Sequence, residues 1–119
     1  MALSLVDIEG ATLQAVERSG SDLLLKLDSR VFSEDAPDPV NVKAGFRLRG
    51  VEIKKGEFKG LPKEINEFEL RCGEMLWALH LPPDFRYVGD CRLTLRFKDG
   101  QEVEITAVEA AIAVAVAPK

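Results

Sequence analysis

One histidine, one tryptophan and one tyrosine are all that 119 residues carry of those types, and each scarcity narrows what the chain can do. The lone histidine, His80, is the only side chain whose ordinary pKa puts its charge change near neutrality. A serine nucleophile would have to use it, and no Gly-x-Ser-x-Gly elbow occurs. On a strand reading, His80 has the opposite parity to Trp77, Leu79 and Leu81, which is a surface position just ahead of Pro82-Pro83. The acidic residues fall mostly on outer faces, with no sign of a buried carboxylate pair. No catalytic constellation emerges, and the expectation is a protein that is not an enzyme.

Cysteine is scarce as well. Two cysteines, Cys72 and Cys91, are too few for a disulfide framework. Both have inward parity, so they read as buried free thiols, or as one disulfide if their strands are neighbours. With His80 they make three soft ligands and none of the short spacings of a structural zinc site. Glycine-rich phosphate-binding patterns are absent. The sequence therefore calls for no cofactor and no metal.

There is no basic surplus. Sixteen Lys and Arg face twenty Asp and Glu, for a net charge of −4. That disfavours general nucleic-acid binding while leaving room for a local basic patch. Long hydrophobic runs are also missing, so no transmembrane helix and no membrane partner are expected. The N-terminus lacks a basic n-region and meets Asp7 early, unlike a signal peptide. The expected location is the cytoplasm.

What is present is alternation. With 46% hydrophobic and 30% charged residues the composition is that of a globular chain, read as a single β domain over 1–119. The clearest unit is Asp90–Phe97, Lys98-Asp99-Gly100, Gln101–Ala107, with apolar and polar residues alternating on both sides of the break. A two-residue Asp99-Gly100 loop would set Phe97 against Glu102 and mix the faces. A three-residue loop sets Leu95 against Val103, Leu93 against Ile105 and Cys91 against Ala107, with Arg96 facing Glu102 and Thr94 facing Glu104 outside. A one-residue slip exchanges the faces, so the second register is expected. It also gives Gly100 the left-handed position that ends a type I turn with a bulge.

The same grammar at Arg18-Ser19-Gly20 predicts a three-residue loop, with Ala15 facing Leu23, Leu13 facing Leu25 and Ala11 facing Leu27. Leu24 breaks that pattern, so its side should be partly covered. Ser33 to Pro39 is a loop by its prolines. Val40, Val42, Ala44, Phe46 and Leu48 share one face of the next strand. Parity switches at Gly50, where a bulge would let Val51 and Ile53 stay inward. Lys54-Lys55-Gly56 reads as a turn. Within Pro62–Cys72 a strand from Glu67 is expected, preceded by at most one helical turn. Gly73-Glu74 is a turn, and Leu76 to Leu81 is a strand with Trp77, Leu79 and Leu81 inward. From Val108 to Ala117 a further strand is read, with a bulge near Glu109. Its alternate alanines make both faces apolar, so both should be covered, by other parts of the chain or by a second subunit. The fold expected is all-β: seven to nine antiparallel strands in a sandwich or partly closed barrel.

Two features point to binding. The loop Pro82–Asp90 holds Phe85, Arg86 and Tyr87, side chains that dominate protein contacts. The plain alternative is that Phe85 and Tyr87 close one end of the core. Lys43, Arg47, Arg49, Arg92 and Arg96 share outer faces and would form a basic patch if their strands were adjacent. Their plain alternative is a set of cross-strand pairs with Glu67, Glu69, Glu102 and Glu104. The leading functional expectation is a non-catalytic interaction or accessory module, of adaptor or toxin-neutralising kind, that binds a protein partner or itself through the Pro82–Asp90 loop and the apolar C-terminal strand. The alternatives are a small-ligand barrel near Trp77, Phe85 and Tyr87, and an anion or nucleotide sensor built on the arginines.

Overall fold

The computed structural model describes residues 4–33 and 38–116. Ten strands follow in chain order: β1 Ser4–Asp7, β2 Thr12–Ser19, β3 Asp22–Ser33, β4 Val40–Arg49, β5 Glu52–Lys55, β6 Lys63–Cys72, β7 Met75–Ala78, β8 His80–Leu81, β9 Arg86–Phe97 and β10 Glu102–Val116. No helix occurs among the described residues, so none there could cross a membrane. The strands exceed the expected number because β1 is short and went unread, and because the Leu76–Leu81 strand is cut in two.

The sheet is antiparallel throughout, and its order β2-β6-β9-β10-β4-β3 returns to β2 through a β2–β3 pairing. Six strands thus close a ring, a partly closed β-barrel. The seam between β2 and β6 is short, Thr12 with Glu64 and Leu13 with Lys63. Beyond it, β1 and β8 extend from β3 while β7 extends from β6. Ring closure satisfies backbone groups that an open sheet would leave at its edges. The inner faces of β2, β3, β4, β6, β9 and β10 bury one shared core, with Phe46, Phe97, Leu13, Leu25, Leu48 and Leu93 under 2% exposed or close to it.

The β9–β10 hairpin has the expected register. Leu95 faces Val103, Leu93 faces Ile105, Cys91 faces Ala107 and Arg96 faces Glu102. Gly100 N–H donates to the Phe97 carbonyl at 3.0 Å, and Phe97 N–H to Gln101 at 2.8 Å, closing the three-residue turn. The register shifts between Ala107 and Glu109, so a bulge at Val108 carries the apolar face on to Ala110 and Ile112. β5 resumes alongside β10 after Gly50, with Ile53 opposite Ile105. A Cβ on Gly50 would lie 2.6 Å from the Val108 side chain, so the bend of one strand seats on the bulge of the other.

Three expectations are corrected. The β2–β3 hairpin uses a two-residue loop, Gly20-Ser21, with Ser19 opposite Asp22 and Val16 opposite Leu25. Gly20 has φ 62°, suited to the tight turns whose twist matches paired strands. A bulge at Gln14 then resets parity and brings Leu13 opposite Leu27. Ala15 and Val16 are both apolar, so either register could match faces locally. β5 runs through Lys54 and Lys55, and the turn begins at Gly56. β6 begins at Lys63, with no helical turn before Glu67. Of the Ser33–Pro39 loop, 34–37 lie outside the described residues, as does Ala117 at the end of the last strand.

Leu79 is a fourth correction: it points outward, 49% exposed, while Leu81 is fully buried. Leu79 has φ 70°, the one positive φ outside glycine among the described residues, and this reversal separates β7 from β8. Its carbonyl accepts the N–H groups of Ile8 at 2.9 Å and Glu9 at 3.1 Å, which ties the break to the chain after β1. Left-handed backbone is costly for branched side chains. Leu79→Val is therefore expected to lose about 1–2 kcal/mol in urea denaturation, and Leu79→Gly to change stability by less than about 1 kcal/mol.

Candidate functional site

The outer face of β3, β4, β10 and the start of β9 is set by register. Leu24, Arg47, Ala111 and Arg86 form one cross-strand row; Lys26, Gly45 and Ala113 the next; Asp28, Lys43 and Ala115 the third. Small residues thus floor the middle of the sheet, and Ala113 and Ala115 are exposed. Leu24 lies half-buried over Gly45, where an added Cβ would sit 3.2 Å from its Cδ1. Between them runs a shallow, mainly apolar groove of about 480 Å³. The alanine face of β10 is therefore open, while its other face, Ala110 and Ile112, is in the core.

Charges rim this floor in pairs. Lys43 bonds Asp28 at 2.9 Å, and Lys26 pairs with Glu17. Arg49 lies 3.8 Å from Asp22 and 3.7 Å from Glu109, and Arg86 reaches Glu109 at 3.4 Å. Arg47 is exposed at the edge of the alanine floor and has no ion-pair partner among the described residues.

The five basic side chains singled out from sequence do not form one patch. β10 separates β4, with Lys43, Arg47 and Arg49, from β9, with Arg92 and Arg96. Arg96 donates to Glu67 at 3.0 Å and to Glu102 at 2.9 Å. The hydrogen bond from Arg96, then that from Lys55, holds the Glu102 carboxyl below its ordinary range. Arg92 pairs with Glu104 at 3.4 Å. On this side the cross-strand pairs are present. Arg71, on the outer face of β6, stands directly opposite Arg92 and has no ion-pair partner among the described residues.

Pro82–Asp90 is mostly strand, because β9 begins at Arg86. Phe85 is 8% exposed and meets Trp77 edge to face, with centroids 5.4 Å apart at 73°. Its carbonyl accepts Ile112 N–H at 3.0 Å, fixing the segment to β10. Tyr87 is half-buried against the core. These aromatics close the barrel end where β10 finishes. At the other end Phe58 and Leu61 pack on the core.

A further polar cluster was not legible in sequence. Asp7 on β1 lies 3.4 Å from His80 Nε2 on β8 and 3.7 Å from Arg30 on β3. Ser29 donates its hydroxyl to the Asp7 carbonyl. His80 follows outer parity as expected, but β8 folds it back beside β1, so it is only half-exposed. Burial raises the Asp7 carboxyl above its ordinary 3.8, with His80 and Arg30 offsetting this in part. A carboxyl raised on folding favours the native state while protonated. That contribution is complete below 3.8 and is lost as pH rises through the folded value. Asp7→Asn is expected to lack this loss, so its melting temperature relative to wild type should rise between pH 3 and pH 7, read by thermal melts across that range.

Fold and surface together define a small, partly ring-closed antiparallel β-barrel with a filled interior and one open alanine-floored face. No family model, curated protein or solved structure matches the chain.

Proposed function

We propose that the chain is a non-catalytic interaction module that associates with a second copy of itself through the outer face of β3, β4 and β10. The observation that carries this reading is the open floor of Gly45, Ala111, Ala113 and Ala115 beside Leu24. Small side chains let two sheets approach closely, and a two-fold pairing sets the same patch against itself. Charge favours a copy over a strongly charged partner. Lys26, Lys43, Arg47, Arg49 and Arg86 are nearly balanced by Glu17, Asp22, Asp28 and Glu109 on this face, whereas the whole chain carries −4. Self-repulsion is thus small here, and Arg47 is left free to reach a carboxylate of the other copy. The packed side chains at Trp77, Phe85 and Tyr87 lend less support to a ligand inside the barrel.

Size-exclusion chromatography with light scattering tests the proposal. A species of twice the 13.1 kDa chain mass is expected at high micromolar concentration. Ala113→Arg should return it to the monomer without changing the melting temperature of the dilute protein, since Ala113 is exposed. A strict monomer at millimolar concentration would overturn it.

The anion-binding reading keeps one observation in its favour. Arg71 and Arg92 face each other as like charges, an unfavourable pairing that an anion between them would relieve. Inorganic phosphate should then raise the melting temperature in a salt-sensitive way, and no shift would end the idea.

A further inference from the structure

Cys72 on β6 and Cys91 on β9 are direct register partners, both buried and both free thiols. Gly73 N–H donates to the Asp90 carbonyl at 3.2 Å, so the neighbouring pair is the hydrogen-bonded one and Cys72–Cys91 is the non-hydrogen-bonded pair. Such pairs bring Cα atoms to about 4.5 Å with their side chains close, at the near edge of the roughly 4.4–6.8 Å that a disulfide spans. The Cys91 thiol donates to the Gly89 carbonyl at 3.3 Å. The residue Cys91 also borders a surface groove of about 570 Å³ beside the Val108 bulge, together with Gly50, Gly73 and Thr106. Cys72 does not line this groove and is 1% exposed, against 4% for Cys91.

We propose that Cys72 and Cys91 form a reversible intramolecular disulfide, with Cys91 as the thiol that a hydroperoxide reaches first. In the first step the Cys91 sulfur attacks the peroxide oxygen, giving a sulfenic acid and expelling hydroxide. In the second, Cys72 sulfur displaces the sulfenic hydroxyl, forming the S–S bond and releasing water. Two thiols are oxidised and one hydrogen peroxide is reduced to two waters. The enclosed segment, 73–90, carries the aromatic plug of Trp77, Phe85 and Tyr87, so the bond would staple that end of the barrel to β6 and β9. A cross-strand bridge at the short end of the distance range is strained and hence readily reduced.

The burial of both thiols sets the rate. Desolvation, then the neighbouring Cys72, pushes the Cys91 thiol up to about 12, and Cys72 is raised too. Thiolate is scarce at neutral pH, and oxidation should accelerate about tenfold per pH unit between pH 7 and 9.

The full chain treated with hydrogen peroxide tests this. After unfolding, its titratable thiols should fall from two to none, with a monomer lighter by two hydrogens and a non-reducing digest joining the peptides of Cys72 and Cys91. The melting temperature should rise by several degrees and return with dithiothreitol. Cys72→Ala should give no bridged monomer. Two thiols surviving the treatment, oxidation to sulfinic acid without a bridge, or disulfides only between chains would each overturn the proposal. None of these outcomes depends on whether the alanine face associates.

Discussion

Phe46→Ala is expected to lower stability by about 3–5 kcal/mol. Phe46 sits at the middle of β4, 1% exposed, and is among the largest fully buried side chains. Its strand is flanked on both sides, with Leu25 opposite on β3 and Ile112 opposite on β10. The cavity left by the ring is walled by ladders that cannot collapse without breaking their own pairing, so the loss should fall in the upper part of the usual range. Domains of this size are stable by only about 5–15 kcal/mol. The thermal midpoint should drop by roughly 10–25 °C, while Phe46→Leu should cost about 1–1.5 kcal/mol. A loss below 1 kcal/mol for the alanine variant would mean that the ring does not fill the barrel centre.

Gly56→Ala is expected to cost about 2–4 kcal/mol although only a methyl group is added. Gly56 follows β5 with φ 80°, a conformation that L side chains seldom adopt. An added Cβ would lie 2.0 Å from the Glu102 carbonyl oxygen, 3.1 Å from the Glu102 carbonyl carbon and 3.2 Å from Val103 Cα. All three are backbone atoms at the start of β10, so no rotamer change relieves the contact. Relief requires β5 to pull away from β10 or residues 56–62 to lift from the barrel end that Phe58 and Leu61 cover. Urea denaturation reads the effect, and Gly10→Ala serves as control. Gly10 also has positive φ, at 89°, but an added Cβ there meets nothing within 4 Å, so only the conformational part of the cost remains.

Much of this fold was legible. Two-residue periodicity exposed β4, β9 and β10, and the pairing of Leu93 and Leu95 with Ile105 and Val103 followed from requiring the apolar faces of the two strands to coincide across the turn. The β2–β3 register was misread because Ala15 and Val16 are both apolar and a bulge at Gln14 conceals the shift. Leu79 was misplaced because strict alternation cannot signal a left-handed residue in a strand. Of the candidate site, the charges of β4 were visible as outer-face residues, as were the pairs that hold Arg92 and Arg96. The alanine face of β10 was expected to be covered and is open, because alanines on a strand look the same in sequence whether or not another layer lies over them. The Asp7–His80–Arg30 cluster was not visible, since its members come from three strands far apart in the chain.

Sequence by itself determined which residues face inward along β4, β9 and the first half of β10, because side-chain direction alternates with every peptide and a greasy face must leave water. It determined the turn at Gly100 for the same reason. Only the tertiary structure decided which strands are neighbours: that β10 lies between β4 and β9, dividing the arginines into two groups, and that β6 lies beside β9, bringing Cys72 to Cys91. Those adjacencies come from closing a sheet on itself. That closure depends on the twist, bulges and backbone hydrogen bonding of all its strands together and on no local run of residues.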